Sequence, residues 1–365
     1  MNVQNNLDIL GIGLYLPTEV RENNWWSDDI VKKWADDKRR FSSAFELDAL
    51  DLEDLSPEAR ILIEAVNKLK RTTDTFEGSE KRYIMAADEK TSDMEIAAAK
   101  DALKNADLSP NKIDFVITQS TLPDILYDAN ACIVHKALNL RSSCFSQEVL
   151  GMCNAFMHQL FVASSLIKSG LAKYGLLIQS SGMSRLLERE HPSSPFFGDG
   201  ATAIVVGPTT PNQGVFSMKH NTHGGLGSYF TTGIPGKRWY DEGRIRTYVL
   251  SIASGPLLNF QAVEQSKLLV EGALLEARLE KSEVQFYAGH QGMSWFREVT
   301  QKAIGIEHAS SFDTFGMHAS LVGCNIPLVL YHAVQKKLLN KGDNVAAFSP
   351  GSGMTASGMV MKWTI

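Results

Sequence analysis

Cys153 lies where two sequence patterns meet, and it is the first candidate for chemistry in this chain. The apolar run Val149-Leu150-Gly151-Met152 precedes it, and residues 154–160 follow with helical spacing. A thiol at such a strand-to-helix corner points into the positive end of the helix, which lowers the thiol pKa and favours the nucleophilic thiolate. Plain core packing is the alternative, because free cysteine is among the most often buried residues.

His290 is the second candidate because it ends a strand-like apolar run over residues 284–289. An imidazole at the end of a strand is placed for acid–base or hydrogen-bond catalysis. A hydrogen-bonded core histidine is the alternative interpretation.

Both residues belong to a helix, turn and strand order that occurs twice in the chain. In the first half, a predicted helix over 92–103 is followed by a strand over 113–118, and a helix over 164–170 by a strand over 174–180. In the second half, a helix over 268–277 is followed by a strand over 284–290, and a helix over 331–339 by a strand over 344–349. Two similar α/β halves place the ends of equivalent strands together at a pseudo-twofold interface. We therefore expect Cys153 and His290 to share one cleft.

Glycines mark the limits of these halves. Phe197-Gly198-Asp199-Gly200-Ala201 precedes an apolar strand over residues 202–206, which closes the first half, and residues 208–214 are typical of a connection. We predict an N-terminal half over 1–207 that carries the cysteine and a C-terminal half over 208–365 that carries the histidine. A glycine loop over residues 349–355 can bring backbone N–H groups against a ligand oxygen.

A charged segment over residues 28–82 reads as an insertion with helical character. Ser56-Pro57-Glu58 is a helix start, and the apolar face of the helix that follows consists of Ala59, Leu62, Ile63, Val66 and Leu69. The insertion either caps the substrate entrance or docks a partner, with a solvated surface element as the alternative. Lys38-Arg39-Arg40 suits an acidic partner, although Asp36 and Asp37 offset its charge.

Composition limits the classes of function. The chain has 365 residues, of which 44% are hydrophobic and 21% charged, so it can bury a large core. A net charge of −5 argues against nucleic acid as the main partner. The four cysteines have neither CxxC pairing nor zinc-ligand spacing, so we expect reduced thiols, no metal and a cytoplasmic location. No apolar run approaches the ~18 residues of a bilayer span, so we expect neither secretion nor a membrane partner.

Taken in order, these motifs resemble the thiolase superfamily, and within it the β-ketoacyl carrier-protein synthase III branch of ketosynthases. The nucleophile segment of that family is similar to residues 148–156, its His-Gln-Ala-Asn motif to His290-Gln291-Gly292-Met293, and its Phe-Gly-Asp-Gly-Ala motif to residues 197–201. The resemblance extends to residues 80–84, 91–94 and 350–353. It implies a five-layered αβαβα sandwich that forms a homodimer or a heterodimer with a related ketosynthase.

One position departs from the family pattern. Counted back from Pro327, the family's His-Gly-Asn stands as His318-Ala319-Ser320, so Ser320 takes the place of the catalytic asparagine. A shifted loop that brings in Asn325 is the alternative. His318 is either a second acid–base group or a structural residue, and Ser320 is either catalytic or a small pocket filler.

The resemblance implies a role for each remaining site residue. Cys153 attacks an acyl thioester, His290 activates or stabilises its thiolate, and the backbone N–H groups of Cys153, Ser352 and Gly353 hold the oxyanion. Arg185 falls near the family's entrance for coenzyme A or phosphopantetheine, with a solvated surface charge as the alternative. Tyr127 aligns with the residue that reaches into the partner's acyl tunnel, with core packing as the alternative.

The leading functional hypothesis is a condensing enzyme that joins an acyl group to a carbon nucleophile in polyketide or fatty-acid-derived specialised metabolism. Its acyl donors are acyl-coenzyme A or an acyl carrier protein, and no further cofactor is expected. Because serine supplies one short hydroxyl where the family has an amide, a non-decarboxylating acyltransferase that forms an ester or amide is the second hypothesis. A non-catalytic subunit of a heterodimeric synthase is the third.

Overall fold

The computed structural model describes residues 6–44, 56–72, 74–226, 230–249 and 254–365, and for residues 38–44, 70, 226, 230 and 254–256 it describes the backbone alone. Within these ranges the chain forms two sheets of similar topology. The division at residues 207 and 208 that the sequence predicts falls near the end of the strand Asp199–Thr209. The next strand begins at Gly214, so residues 210–213 are the connection between the two sheets.

The first sheet has five strands in the order β1-β7-β6-β4-β5. Their bounds are β1 Asn6–Tyr15, β4 Phe115–Ser120, β5 Phe145–Glu148, β6 Gly175–Gly182 and β7 Asp199–Thr209. β4 is parallel to β5 and β6, whereas β7 is antiparallel to β6 and β1. β4 starts two residues later than predicted, because residues 110–112 form a 3-10 turn and the Asp114 carboxylate accepts from the backbone of Lys173 and Tyr174.

The second sheet repeats this order with four strands, β11-β12-β13-β8. Their bounds are β8 Gly214–Thr222, β11 Phe286–Gly289, β12 Asn344–Gly351 and β13 Thr355–Lys362. β11 is parallel to β12, and β13 is antiparallel to both β12 and β8. A parallel bridge from Phe286 to Ser310 takes the place that β5 has beside β4 in the first sheet. The predicted duplication is therefore present in the strand pairing itself.

Helices form the three other layers. Their bounds are α3 Thr91–Asn105, α4 Asn130–Ala137, α5 Ala155–Lys168, α6 Ser254–Ala277, α7 Phe296–Ile304, α8 Phe315–His318 and α9 Asn325–Gln335. α5 and α9 lie between the sheets, where Phe156 and Leu160 share one core with Val329 and Leu330. α3 and α4 cover the outer face of the first sheet, and α6 and α7 cover the second. The predicted five-layered αβαβα sandwich is confirmed.

The predicted helices are shorter than the observed ones. α6 extends over 24 residues rather than the ten that periodicity marked. α9 begins six residues earlier than predicted, since Pro327 lies in its first turn, where a missing N–H is tolerated.

The charged segment contributes two helices, α1 Asp28–Ala44 and α2 Pro57–Lys70. Ser56 caps α2 by accepting from the backbone of Ala59 at 3.2 Å, as its sequence predicts. The predicted apolar face packs inward, with Leu62 and Ile63 buried, and Leu62 belongs to the same buried cluster as Val263 of α6. α2 therefore supports α6 rather than lying loose in solvent. Residues 45–55, and the side chains of Lys38-Arg39-Arg40, lie outside the described part.

Two small sheets complete the fold. They pair β2 Glu19–Glu22 with β3 Lys81–Ile84, and β9 Phe230–Gly233 with β10 Arg246–Val249. Within the described ranges, none of the helices has the length and apolarity that crossing a bilayer requires.

Candidate active site

Cys153 lies in a 3-10 turn, Met152–Asn154, that connects β5 to α5. Met152 has a φ of 49°, a left-handed conformation that stores about 1–3 kcal/mol in a non-glycine residue. A Cβ on Gly151 would lie 2.9 Å from Ala155 Cα, so only glycine fits before the turn. The Ser349 hydroxyl donates to the Cys153 carbonyl at 2.8 Å. This strained turn presents the thiol at the strand-to-helix corner that the sequence predicts.

The electrostatics of the thiol differ from the sequence-based expectation. Cys153 is half-buried and packs against an apolar cluster that contains Met183 and Val322. Burial raises the pKa of the Cys153 thiol to about 12, so the predicted lowering by the helix end is wrong. The resting form of Cys153 is therefore the thiol.

His290 follows the last residue of β11 and is 4% exposed. Its backbone N–H donates to the Phe348 carbonyl at 2.9 Å, which anchors it to β12. Burial lowers the pKa of His290 to about 3, so the ring is neutral at physiological pH. A Cβ on Gly292 would lie 2.9 Å from His290 Nε2, so glycine at this position leaves room beside that nitrogen.

Cys153 and His290 line the same cleft, whose volume is about 220 Å³. The two halves thus meet as predicted. Most of the lining is apolar, and four of its members are methionines, which suit an adaptable apolar ligand. The residues around the two candidates are Met152, Met183, Phe197, Leu258, Asn259, Ala262, Gly292, Met293, Phe296, Val322 and Pro350–Met354.

The predicted glycine loop forms one edge of this cleft, between the end of β12 and the start of β13. A Cβ on Gly351 would lie 2.7 Å from both the Gly151 carbonyl oxygen and Asn154 Cβ, so the loop touches the nucleophile turn through bare backbone. Gly353 has a φ of 75°, the left-handed region that favours glycine. Ser352 and Gly353, the predicted oxyanion residues, both line the cleft.

Ser320 and Asn325 lie behind the cleft rather than on its surface. Ser320 is 1% exposed, and its Oγ accepts from Asn325 Nδ2 at 3.0 Å and from the Val322 N–H at 3.3 Å. Asn325 is fully buried at the start of α9, and Nδ2 lies 3.3 Å from His290 Nδ1. Neither residue is among those that line the cleft. Asn325 therefore touches the site through His290, and Ser320 is linked to it only through Asn325.

His318 has surroundings of its own. Its Nε2 lies 3.0 Å from Nε2 of His332, and its ring stacks on Tyr83. Burial, followed by the charges of His332 and Lys81, lowers the pKa of His318 to about 3. It does not line the cleft, and the contacts favour the structural interpretation over a second acid–base group.

The two remaining predicted residues also lie off the cleft. Tyr127 is 97% exposed, so core packing within this chain is excluded for it. The Arg185 guanidinium donates to the backbone carbonyls of Met85 and Ala86, at 3.0 and 2.6 Å. Those bonds hold a loop of the N-terminal half and occupy one of the terminal nitrogens expected to face phosphate.

Sequence reasoning missed the wall that α6 contributes. Leu258, Asn259 and Ala262 line the cleft from this helix. Asn259 carries an amide among mainly apolar neighbours, and no motif marked it. Its helix was predicted to begin at residue 268, so these positions were not assigned to any element.

Comparison with known proteins agrees with this geometry. Residues 148–224 match the family model of 3-oxoacyl-[acyl-carrier-protein] synthase III, and residues 274–363 match the model of its C-terminal domain. The β-ketoacyl-[acyl-carrier-protein] synthase III of Ehrlichia canis is 28% identical over 351 residues, which cover 95% of this chain and 96% of that protein.

Two solved structures show the same fold. The 3-oxoacyl-[acyl-carrier-protein] synthase III of Aquifex aeolicus superposes with a TM-score of 0.77 at 22% identity, covering 98% of this chain and all of that one. The priming β-ketosynthase of a polyketide biosynthetic pathway superposes with a TM-score of 0.79 at 20% identity, covering 100% of this chain and 98% of that one. Residues 148–224 and 274–363 thus carry the two domains of the 3-oxoacyl-[acyl-carrier-protein] synthase III family, and the chain has the fold of the solved ketosynthases of that kind.

Proposed function

We propose that this chain is a condensing enzyme that forms an acyl-enzyme on Cys153 and transfers the acyl group to a carbon nucleophile. The observation that carries the proposal is the shared cleft, in which Cys153, His290 and the glycine loop meet at the junction of the two halves. The donors are acyl-coenzyme A or an acyl carrier protein. A malonyl or β-keto thioester is the acceptor, and the setting is polyketide or fatty-acid-derived specialised metabolism.

In the first half-reaction, Cys153 Sγ attacks the thioester carbonyl carbon. The bond from that carbon to the donor sulfur breaks, and the proton of the Cys153 thiol ends on the departing thiol. Backbone N–H groups of Cys153 and of the glycine loop hold the oxyanion. Because the resting group is the thiol, the attacking thiolate is a small fraction of the enzyme that grows as the pH rises.

In the second half-reaction, a malonyl thioester loses carbon dioxide, and the resulting enolate carbon attacks the acyl carbonyl. The carbon–sulfur bond to Cys153 breaks, and a proton from solvent restores the thiol. His290 donates a hydrogen bond to the thioester oxygen of the acceptor, where the negative charge of the enolate develops.

One observation supports a second candidate function. Ser320 and Asn325 lie behind His290, so the cleft lacks an amide donor from this turn. One donor of this kind is worth about 2.7–4 kcal/mol in an oxyanion site. An alcohol or amine acceptor needs no decarboxylation and avoids that requirement, and the product is then an ester or an amide. A non-catalytic subunit remains the third candidate.

Intact-protein mass spectrometry separates the three candidates. Wild type and Cys153→Ala are mixed with acyl-coenzyme A and acyl-carrier thioesters and then chased with a malonyl thioester. We expect a Cys153-dependent adduct that the chase discharges with release of carbon dioxide. An adduct that malonyl leaves intact supports the second candidate. Absence of an adduct with every donor contradicts both enzymatic proposals.

We also propose that the chain acts as a dimer. Six apolar side chains are exposed in the loop before α4, on and after the edge strand β5, and on α5, namely Ile125, Leu126, Tyr127, Phe145, Leu150 and Phe161. An edge strand beside exposed apolar residues favours a self-complementary interface. Light scattering tests this proposal, with Phe145→Lys expected to shift the mass toward that of a monomer.

A further inference from the structure

Asn325 lies behind His290 in a polar pocket that the proposed mechanism does not use. It is the first residue of α9 and is fully buried. Its Oδ1 accepts from the Leu321 N–H at 2.8 Å. Its Nδ2 has three neighbours, which are Ser320 Oγ at 3.0 Å, the Gln291 carbonyl at 3.2 Å and His290 Nδ1 at 3.3 Å.

The orientation of this amide is fixed by groups that have only one possible role. The Leu321 N–H can only donate, so the atom facing it is the amide oxygen. The Gln291 carbonyl can only accept, so the atom facing it is the amide nitrogen. Exchanging the two amide atoms would place donor against donor at one end and acceptor against acceptor at the other.

The protonation of His290 follows from that orientation. A proton on Nδ1 would point at the N–H groups of Asn325, and in the described part of the chain Nδ1 has no other hydrogen-bond partner. The neutral ring therefore accepts at Nδ1 and carries its proton on Nε2. The glycine at position 292 leaves room beside Nε2, on the side of the cleft.

We infer that Asn325 is a positioning residue that fixes His290 as the tautomer with the proton on Nε2. His290 then presents an N–H donor to the substrate oxygen and keeps its proton throughout the cycle. It does not act as the base that removes the Cys153 proton. The inference rests on the proposed function for its catalytic consequence, but the tautomer itself is a property of the free protein.

Nitrogen-15 NMR of the free protein tests the tautomer directly. The two ring nitrogens differ strongly in chemical shift according to whether they carry a proton, and the signal that His290→Asn lacks identifies the residue. We expect wild type to show a protonated Nε2 and a bare Nδ1. A bare Nε2 in wild type overturns the inference, whatever the activity.

Asn325→Asp tests the catalytic consequence. It replaces the amide N–H donor that faces His290 Nδ1 with a carboxylate oxygen acceptor of the same shape. We expect the proton to move to Nδ1, and kcat for malonyl decarboxylation to fall by about 10² to 10³-fold while KM changes little. The acyl adduct on Cys153 still forms, which shows that the variant is folded. Wild-type kcat in Asn325→Asp with its proton on Nδ1 contradicts the inference.

Cys324→Ala is the matched control, since Cys324 is buried in the same turn and bonds to the Gln179 carbonyl rather than to His290. We expect it to keep the wild-type tautomer and kcat. If wild type shows the expected tautomer but transfers no acyl group, the proposed function fails while the role of Asn325 stands.

Discussion

Two turns of the same kind lie at equivalent places in the two halves, and only one of them presents a cysteine to the cleft. Met152–Asn154 leads into α5, and Val322–Cys324 leads into α9. Each opens with a non-glycine residue in the left-handed region, with φ values of 49° and 55°. The two turns pack against each other. Cys153 is the middle residue of the first turn, and Gly323 is the middle residue of the second.

The residues that lie beside the two turns, His290 and Gln119, also occupy equivalent positions in the two halves. His290 and Gln119 each stand four residues after the phenylalanine that opens β11 or β4. A Cβ on Gly323 would lie 2.6 Å from Gln119 Oε1, so no space separates these two residues, and we call them the closed pair. Cys153 and His290 border the cleft, and we call them the open pair. Both amide atoms of Gln119 are buried without a partner among the described residues. The duplication thus provides two equivalent backbone arrangements, and the size of the side chains decides which of them borders an open cleft.

Removing the nucleophile is expected to have the largest effect. Cys153→Ala eliminates the acyl-enzyme and reduces turnover by about 10⁴-fold or more, because no other thiol replaces Sγ in the cleft. Intact mass and steady-state turnover measure both results. Cys324→Ala removes a buried thiol of the second turn and keeps the adduct, and loss of acylation in that variant would contradict the comparison.

We expect a substitution of His290, in the open pair, to lower kcat more than a substitution of Gln119, in the closed pair. His290→Leu lowers kcat about 10² to 10³-fold, since the oxyanion loses one preorganised donor. In Gln119→Met we expect unchanged kcat, because that amide faces no substrate. Its free energy of unfolding stays equal or rises by about 1 kcal/mol, because an unpartnered buried amide is removed. Turnover and denaturant titration test the pair, and equal losses of kcat would refute the distinction.

The pH dependence reports the state of the open pair. With a thiol pKa of about 12, thiolate is about one part in 10⁴ at pH 8 and rises tenfold per pH unit. Single-turnover acylation should therefore increase from pH 7 to 9 with no plateau. His290, with a pKa of about 3, adds no acidic limb above pH 5. A plateau near pH 7 would show that the thiol pKa is instead lowered.

Adding a methyl group at the closed pair is expected to have the smallest effect. Gly323→Ala destabilises the fold by about 1–3 kcal/mol, because its Cβ meets Gln119 Oε1 at 2.6 Å and the Met152 carbonyl oxygen at 2.9 Å. Denaturant titration measures the change. Gly224→Ala, which meets nothing within 4 Å, serves as the control. Restored stability in Gly323→Ala combined with Gln119→Ala would confirm the contact.

Much of the architecture could be predicted because repeated hydrophobic periods are local. The matched order of helices and strands indicated two halves, and the cysteine and histidine at strand ends were correctly expected to meet. Helix lengths were underestimated: residues 325–330 at the start of α9 are all buried and so have no amphipathic period, while exposed Leu257 and Leu268 blur the apolar face of α6. Asn259 was missed for the same reason.

Site electrostatics could not be predicted from spacing. The helix end at Cys153 suggested a lowered thiol pKa, but desolvation in the packed cluster outweighs that effect. Counting from Pro327 placed Ser320 in the asparagine position, whereas its contact with Asn325 depends on how the turn folds back on itself. A local sequence pattern does not indicate which side chains come into contact in the folded chain.

The sequence by itself determined the two matched α/β halves, the strand-to-helix corner at Cys153 and the glycine loop over residues 349–355, because each follows from local residue type and period. Tertiary structure alone decided that His290 is neutral, that Asn325 faces its Nδ1 and that Gln119 closes the second turn. Protonation and access depend on desolvation and on atoms brought together from distant segments, and those exist only after the layers have packed.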